Sequence, residues 1–378
     1  MFLYILVALF PLVIGFFYDA RQPVAVAADD ADGVADGEAV TLDKMQAKKL
    51  KRRRWWLLLV AALPMFVLVA LRGPHMGADT GGYLKFFDQM VNTPWDQIFV
   101  RNEATYEFEE GFVIFEKLLT YVTDDSRVYQ VLYTLVYLLA LVTFANELEK
   151  GRFAFLFFFA TMGTYTFMFT GVRQCLAMSI CLLSYPFIKR KKLIPFILLV
   201  ILAFFFHKSA ILFLAAYFIY NRRLGWFNAV IYGVLAALAF INIETIQEWF
   251  NDTLDYEYGI EATDTGFIFF AIIVLVTAFA YFAILHYKKE TRESVGLLNV
   301  AGITLVLWLL RLETRVAERP SYYFMFFSAA VLCHALDAPT KNGDKLIYKL
   351  VVYAAFLVLF IYRFMTNFSS LVPYVSFF

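Results

Sequence analysis

Two polar side chains, Arg173 and His207, stand at the ends of two apolar runs that a basic turn joins. The runs at residues 175–188 and 193–206 have 14 residues each, and residues 189–192 are all Lys or Arg. A basic turn of this kind is typical of a cytoplasmic loop, so both ends of the hairpin should face outward. Each run covers about 21 Å as a helix, against a hydrocarbon core of about 30 Å. The spacing therefore predicts that Arg173 and His207 lie side by side, below the outer boundary of the membrane.

An arginine beside a histidine at that depth is costly in lipid, and such residues usually face a water-filled cavity. The arginine fork matches phosphate oxygens and keeps its charge at every relevant pH. His207 could serve as a base or as a cationic donor to phosphate. The alternative is a structural hairpin whose polar ends snorkel to the interface.

Further arginines near the ends of predicted helices extend this pattern. Arg311, Arg315 and Arg319 all fall in one predicted outer loop, and several arginines around one recess predict a site for an anion such as a lipid-linked diphosphate. If this loop is helical, Arg311, Arg315 and Glu318 share one face and Arg319 points elsewhere. Alternatively, these arginines form structural ion pairs with Glu313, Glu318 and other carboxylates of the outer loops.

Carboxylates supply the candidates for a general base. Asp79 lies between Gly77 and the pair Gly81-Gly82, where the backbone can bend tightly and approach a ligand. A carboxylate there could accept a proton from a sugar hydroxyl, although Asp79 could instead be a turn or helix-cap residue. Glu110 is the second candidate. The Cys and His residues lack metal-ligand spacing, so we predict neither a metal nor a cofactor.

The elements that must position these residues are membrane helices. The chain has 378 residues, 61% of them hydrophobic and 19% aromatic, and its mean hydropathy is +0.66. That is too apolar for a soluble domain, and a net charge of +1 gives no reason to expect a nucleic-acid partner. We predict an all-α polytopic fold with about twelve spans, several of them short or re-entrant, around an outward-facing cavity. The predicted spans are 1–18, 55–71, 128–144, 153–170, 175–188, 193–206, 209–220, 224–243, 267–287, 295–310, 321–336 and 346–362, with a shorter, partly embedded helix at 112–121.

Charge divides the chain into three regions. Residues 1–18 are the first transmembrane helix, with a cleaved signal peptide as the alternative. Residues 19–54 form a cytoplasmic linker, acidic and disordered in its first half and basic at its end. Residues 55–378 form the multi-span core, with outer loops near 73–127, 244–266 and 311–320. This topology leaves about two thirds of the 33 Lys and Arg residues inside, in agreement with the positive-inside rule.

Five short motifs then point to a family. They are Gly77-Ala78-Asp79 with Tyr83, Glu110-Gly111-Phe112, Arg173-Gln174-Cys175-Leu176-Ala177, His207-Lys208-Ser209-Ala210, and Glu318-Arg319 followed by Ser321-Tyr322-Tyr323-Phe324. In this order the motifs resemble the EpsG family of Wzy-like bacterial polysaccharide polymerases, over nearly the whole chain beyond residue 50. The long linker at 19–54 departs from the family pattern.

The resemblance implies a multi-pass enzyme of the bacterial plasma membrane with its active site on the outer face. It implies undecaprenyl-diphosphate-linked oligosaccharides as donor and acceptor, membrane lipid around the protein, and a fold related to the GT-C class of membrane glycosyltransferases. A chain-length co-polymerase and a flippase are the protein partners that it suggests. The product would be a capsule, an exopolysaccharide or an O-antigen.

On this reading, the catalytic residues are Asp79 as base, His207 and Arg173. The predicted substrate-binding residues are Tyr83, Glu110, Gln174, Arg311, Arg315, Glu318 and Arg319, and the arginines would stabilise the departing diphosphate. Two other functions stay open. A transporter or flippase of lipid-linked oligosaccharide should place ionisable groups near mid-membrane and show related halves, whereas an O-antigen ligase differs only in its acceptor.

Overall fold

The computed structural model describes residues 1–20, 37–223, 226–245, 248, 265–366 and 371–377. These residues form helices, short connections and one isolated antiparallel bridge between Arg72 and Ser376. In chain order the α-helices are α1 (Phe2–Ala20), α2 (Gly37–Ala70), α3 (Thr80–Val91), α4 (Ile98–Glu103), α5 (Glu110–Leu119), α6 (Ser126–Glu147), α7 (Arg152–Thr161), α8 (Thr164–Phe167), α9 (Val172–Leu183), α10 (Tyr185–Lys189), α11 (Leu193–Phe206), α12 (Leu214–Tyr220), α13 (Trp226–Ile241), α14 (Thr265–His286), α15 (Arg292–Leu310), α16 (Glu318–Asp337) and α17 (Asn342–Thr366). Short 3₁₀ helices lie at Trp95–Gln97, Lys208–Phe213 and Arg315–Ala317.

Six helices within the described ranges are long and apolar enough to cross a membrane: Phe2–Asp19, Met45–Ala70, Ser126–Glu147, Gly266–His286, Arg292–Leu310 and Asn342–Thr366. Shorter apolar helices cover Arg152–Thr161, Leu193–Phe206 and Lys208–Tyr220. The chain is therefore an all-α, multi-span membrane protein, as predicted. The figure of twelve spans stays a prediction, because most of the other predicted spans are helices shorter than 18 residues, and α16, although 20 residues long, is not one of these six.

The core is built around α16, which is buried along nearly its whole length, from Pro320 to Leu336. It packs against α15, α14 and α7, while α2 and α6 pair on another side. The predicted hairpin is present as α9, α10 and α11, with α9 against α11. Because the chain turns at residues 190–192, the start of α9 and the end of α11 come to the same end of the hairpin.

Three segments differ from their predicted form. The predicted span at 153–170 is interrupted at Gly163, whose φ of +99° is open to glycine but strained for other residues. The first half of the span at 209–220 is a 3₁₀ helix. The predicted loop at 311–320 is a turn and a 3₁₀ helix up to Ala317, with extended backbone at Thr314, and Glu318 already begins α16. The helical loop on which a shared face of Arg311, Arg315 and Glu318 depended is therefore not formed.

The linker at 19–54 and the outer loop at 73–127 both contain helices. Helix α2 runs without a break from Gly37 to Ala70, so the basic end of the 19–54 linker is the first part of a membrane helix. The disorder predicted for the first half of that linker concerns residues 21–36, which lie outside the described residues, as does most of the outer loop at 244–266. The loop at 73–127 is largely helical, because α3, α4 and α5 all lie within it.

Candidate functional site at the end of the hairpin

Arg173 and His207 lie side by side, as their spacing predicts, because both bind one carboxylate, that of Glu109. Arg173 Nη1 forms a short ion pair with Glu109 Oε2. His207 Nδ1 lies 2.8 Å from Glu109 Oε1, and the backbone N–H of Lys208 donates to the same oxygen at 3.2 Å. We call Glu109, Arg173 and His207 the Arg173 cluster.

Aromatic rings support the arginine of this cluster. The guanidinium carbon of Arg173 lies 4.3 Å from the centre of the Phe108 ring, within the range of a cation–π contact. Arg173 Nε donates to the Tyr83 hydroxyl at 3.4 Å, and the Tyr83 ring packs against Phe108 with centroids 5.4 Å apart. Tyr83, a predicted substrate-binding residue, therefore contacts the predicted catalytic arginine directly.

The carboxylate is presented by a tightly folded loop before α5. Asn102 is buried, and its side-chain amide donates to Phe108 O at 2.8 Å and accepts from Phe108 N at 2.9 Å. Gly111, in the first turn of α5, lies against Phe205 of α11 so closely that a Cβ there would meet the Phe205 Cβ at 2.6 Å. Helix α5 can therefore approach the end of α11, which brings Glu109 within reach of His207.

A second glycine joins the motif before α3 to the same end of the molecule. Gly77 has a φ of +86°, and a Cβ there would lie 1.9 Å from Phe169 O. Thr80 Oγ1 donates to that same carbonyl at 2.8 Å. The segment containing Asp79 and Tyr83 is therefore held against the turn that precedes α9 and Arg173.

The charge states of the Glu109–His207 pair follow from burial and from Arg173. Burial raises the pKa of Glu109, but the hydrogen bond with His207 and the positive charge of Arg173 outweigh it and lower that pKa to about 2. Burial lowers the pKa of His207 below 6.5, and the hydrogen bond with Glu109 offsets this only in part. At neutral pH Glu109 is ionised and the imidazole is neutral. Because Nδ1 faces a carboxylate, the proton belongs on Nδ1 and Nε2 carries the basic lone pair.

A cavity of about 380 Å³ adjoins the cluster. Glu109 and Lys208 line it, and so does Glu110, which is exposed and begins α5. The remaining lining residues are Phe99, Asn102, Glu103, Glu107, Phe108, Phe204 and Phe205. The cavity lies in the size range of small-molecule sites, so a ligand could reach Glu109 from this side.

The other predicted residues fall into two groups. Gln174 is buried and donates to the carbonyl of Arg319 at 2.7 Å, which ties α9 to the start of α16. Arg311 Nε pairs with Glu318 Oε2 at 2.7 Å, and Tyr322 donates to Glu318 Oε1 at 3.2 Å. For Arg311 and Glu318, the structural ion pair left open by the sequence is therefore present.

Asp79 and Arg315 are not drawn into this network. Asp79 is exposed at the N-cap position of α3, and its side chain makes no capping hydrogen bond. Arg315 is exposed in the 3₁₀ helix Arg315–Ala317. Among the described residues, no group of three or more His, Cys, Asp or Glu side chains is arranged to hold a metal ion.

Glu109 is the residue that sequence reasoning missed. The candidate named from the sequence is its neighbour Glu110, which begins α5, whereas Glu109 is the N-cap residue of that helix, with φ −59° and ψ 140°. Adjacent residues on either side of a helix start point in different directions, so only one of the two can face Arg173. A usable signal was the need for a counter-charge, because an arginine and a histidine predicted below the membrane boundary require an acid partner.

Comparison with known families gives one match. Residues 55–376 match the model of the EpsG family. No curated protein and no solved structure matches the chain.

Proposed function

The chain belongs to the EpsG family of Wzy-like polysaccharide polymerases, and from that premise we propose that it joins undecaprenyl-diphosphate-linked oligosaccharide repeat units into a polysaccharide. The reaction is glycosyl transfer at the outer face of the bacterial plasma membrane. The observation that carries this proposal is the Arg173 cluster, where a carboxylate, an imidazole and a guanidinium meet beside a cavity.

The proposed step is a direct displacement. The bond between the anomeric carbon of the growing chain and its diphosphate oxygen breaks, and a bond from that carbon to an acceptor hydroxyl oxygen forms. The acceptor proton passes to Nε2 of His207, and the undecaprenyl diphosphate leaves with the bonding electrons. Inversion at the anomeric carbon follows from a single displacement.

The residues of the cluster have separate roles in this step. His207 is neutral at working pH and can accept a proton, while Glu109 fixes its tautomer and stabilises the imidazolium that forms. Arg173 and Arg319 carry positive charge that favours the developing diphosphate, a form of electrostatic stabilisation. Arg315 is exposed at the start of the same segment and would meet the diphosphate from the aqueous side.

Asp79 and Glu110 remain the competing proposals for the base. Glu110 lines the cavity next to Glu109, so it could bind an acceptor hydroxyl. Asp79 is held near Tyr83 by the close contact of Gly77 with Phe169. Tyr83, Gln174, Arg311 and Glu318 are proposed to shape the substrate site, since each contacts Arg173 or the segment that carries Arg319.

The fold-level proposal is a GT-C-related arrangement with about twelve crossings, in which short helices such as α5, α11 and α12 surround the site. Membrane helices that stop short of the full bilayer leave a recess that water can enter. Helix α11 presents Ile194, Leu198 and Leu202 as exposed apolar side chains. A lipid-linked substrate could therefore approach the recess from the bilayer.

The test is polymerisation by the purified full chain in lipid nanodiscs. A synthetic undecaprenyl-diphosphate-linked repeat unit is added, and products are resolved by gel electrophoresis and mass spectrometry, with and without EDTA. The proposal expects a ladder of products that differ by one repeat unit, and it expects that ladder to survive EDTA.

Other outcomes select other functions. A ladder that EDTA abolishes keeps the polymerase but overturns the metal-free role of the Arg173 cluster. In a parallel reaction with lipid A added to the nanodiscs, transfer of one unit to lipid A without a ladder indicates an O-antigen ligase. In a parallel assay in sealed proteoliposomes, movement of the lipid-linked unit across the bilayer without glycosyl transfer indicates a flippase and refutes the enzyme proposal.

A further inference from the structure

The cavity beside Glu109 is acidic. Among the residues that the structure describes, four carboxylates line it, those of Glu103, Glu107, Glu109 and Glu110, together with the amine of Lys208. Glu109 is paired with Arg173, so the three remaining glutamates outnumber Lys208 and leave these described lining residues with an excess of negative charge. All three are exposed, and therefore each can reach a ligand in the cavity.

Aromatic rings form the other walls. Phe99 comes from α4, Phe108 from the loop that carries Glu109, and Phe204 and Phe205 from the end of α11. A recess that combines aromatic faces with a few convergent polar groups is suited to a small polar molecule with apolar C–H faces. Sugars have this make-up, because their hydroxyls donate to carboxylates while their ring C–H groups pack on phenyl rings.

Hydrogen bonds hold the loop that carries these glutamates in one defined conformation. Glu107 has a φ of +52°, a conformation uncommon for residues other than glycine. The carbonyl of Asn102 accepts hydrogen bonds from the backbone N–H groups of Thr105, Tyr106 and Glu107, at 3.1, 2.9 and 3.0 Å. Strain of this kind persists only where the surroundings enforce it, and it is common at ligand sites.

Glu109 therefore borders two regions of opposite charge. It pairs with Arg173, whose positive charge favours an anionic diphosphate, and it also lines the acidic cavity, whose described lining does not include Arg173. A carboxylate-bearing ligand in the cavity would meet several like charges, and such repulsion is an effective means of rejecting the wrong partner. A neutral or amine-bearing ligand would meet none.

We propose that this cavity is the subsite for the acceptor sugar, and that Glu103 and Glu107 select uncharged or amine-bearing sugars over carboxylate-bearing ones. The identification of the bound sugar as the acceptor rests on the proposed polymerase function. The selection by charge rests on the cavity alone. Glu103 and Glu107 are specificity residues, and neither belongs to the Arg173 cluster.

The test measures sugar binding without turnover. Three probes are used, methyl glucoside, methyl glucosaminide and methyl glucuronide, which are neutral, cationic and anionic at pH 7. Binding of each to the full chain in zwitterionic nanodiscs is measured by saturation-transfer NMR, with empty nanodiscs as the blank. We expect the cationic and neutral probes to bind and the glucuronide to bind on the order of threefold to tenfold more weakly.

Two double variants test whether Glu103 and Glu107 cause the weaker binding of the glucuronide. Glu103→Gln with Glu107→Gln should remove most of the discrimination against glucuronide, and high salt should weaken it in the unaltered protein. The matched control is Glu313→Gln with Asp124→Asn, which removes two exposed carboxylates away from the cavity and should leave the order unchanged. Each carboxylate replaced is exposed, so folding is expected to be preserved in both proteins.

The proposal is overturned if no probe binds above the blank, if the three probes bind equally, or if the order survives in the cavity variant. These outcomes are distinct from failure of the polymerase proposal. If the charge order holds and depends on Glu103 and Glu107 while no product ladder forms, the cavity is a sugar site of a protein that is not a polymerase. A ladder without any charge order would refute the subsite and leave the polymerase intact.

Discussion

Two clusters of similar chemical make-up lie at opposite ends of the hairpin formed by α9, α10 and α11. One is the Arg173 cluster. The other, which we call the Glu293 cluster, contains Glu293, His334, Lys189 and Tyr185. Glu293 Oε1 accepts from Tyr185 and Lys189 at 2.8 and 2.7 Å. Its Oε2 accepts from the backbone N–H of Glu149 at 2.6 Å and lies 3.1 Å from His334 Nε2.

The two clusters differ in what surrounds the carboxylate. The Glu293 side chain is 1% exposed, and both its oxygens are used by protein donors from three segments: α10, the connection at Glu149 and α16. The Glu109 side chain is 10% exposed and lines a cavity of about 380 Å³. A fully satisfied buried carboxylate fixes helices relative to one another, whereas one that borders a cavity can act on a ligand.

Residue types alone therefore do not identify a functional site. Carboxylate, imidazole and a cation occur in both clusters, and only the access differs. Lys189 belongs to the basic turn that the charge pattern predicts to be cytoplasmic, so the Glu293 cluster joins the helices at the end of the bundle predicted to be the inner one. Substitutions in the Glu293 cluster should therefore lower mainly stability, whereas substitutions in the Arg173 cluster should lower mainly activity.

The largest effect is expected from Glu293→Ala. Removing this carboxylate takes from Lys189 its nearer carboxylate partner, since Glu149 Oε1 lies 3.6 Å away, and takes from Tyr185 and His334 their hydrogen-bond partner. Breaking a buried pair of this kind costs about 3–5 kcal/mol of stability. The midpoint of thermal unfolding in detergent should fall sharply, while turnover per folded molecule should stay near that of the unaltered protein. Glu290→Ala, an exposed carboxylate three residues earlier, is the control and should leave the midpoint unchanged. If Glu293→Ala keeps its stability and loses turnover, the assignment of the two clusters is reversed.

Arg173→Ala should produce the second-largest effect, and on activity. Loss of one charge-stabilising donor raises the barrier by about 2–4 kcal/mol, which slows polymerisation roughly 30-fold to 10³-fold. Arg173→Lys keeps the charge without the fork and should fall between the two. Arg127→Ala, which removes an exposed arginine paired with Asp125, should polymerise at the normal rate. An Arg173→Ala protein that folds and polymerises normally would refute the leaving-group role.

His207→Gln tests the base separately from the cation. The amide can still donate to Glu109 but cannot accept a proton at neutral pH, so polymerisation should fall on the order of 10²-fold. Sugar binding should be little changed, because His207 does not line the cavity described beside it. Equal loss of sugar binding and of turnover in this variant would indicate a structural role for the imidazole, like that of His334.

The sequence predicted the helical hairpin and the meeting of Arg173 and His207, but it did not predict Glu109, to which both bind. Equal lengths of the two apolar runs sufficed to predict that Arg173 and His207 meet, because helix length fixes where each run ends. The long apolar segments were likewise predicted as membrane helices. Glu109 could not be chosen over Glu110 from the sequence. The residue at which α5 begins decides which of these two adjacent glutamates faces Arg173, and the sequence does not show that residue.

Other features could not be read from local sequence because they depend on distant segments. In the sequence Lys189 is part of a charged turn, yet in the structure Glu293, 104 residues from Lys189, joins it to His334. The ion pair between Arg311 and Glu318 is one of the two alternatives that the sequence allows, whereas a shared helical face requires a helical loop, which does not form. Extended backbone at Thr314 breaks that face, and nothing in the local pattern of apolar residues marks the break.

The pH dependence of activity should depend on the Glu109–His207 pair. His207 must be neutral to accept a proton, so activity should be lost as pH falls through its pKa, which lies below 6.5. Glu109→Gln removes the partner that raises the pKa of His207, so the acid limb of the residual activity should move to lower pH. Glu109 has a lowered pKa of about 2, and it therefore stabilises the fold above its unfolded pKa of about 4.5. That contribution is lost as pH falls toward 2. An acid limb that stays in place, or moves to higher pH, in Glu109→Gln would contradict the proposed pair.

The smallest effect is expected from Asp79→Asn. Asp79 is exposed and its side chain makes no capping hydrogen bond, so the substitution should change stability by no more than about 0.5 kcal/mol. If His207 is the base, polymerisation should fall by less than about tenfold, since Asp79 then contributes only its charge near Tyr83. Asp88→Asn, a change of the same type within α3, is the matched control. A loss in Asp79→Asn equal to that in His207→Gln, with the acid limb moved as well, would transfer the base role to Asp79. His207 and Glu109 would then share with the Glu293 cluster a purely structural part.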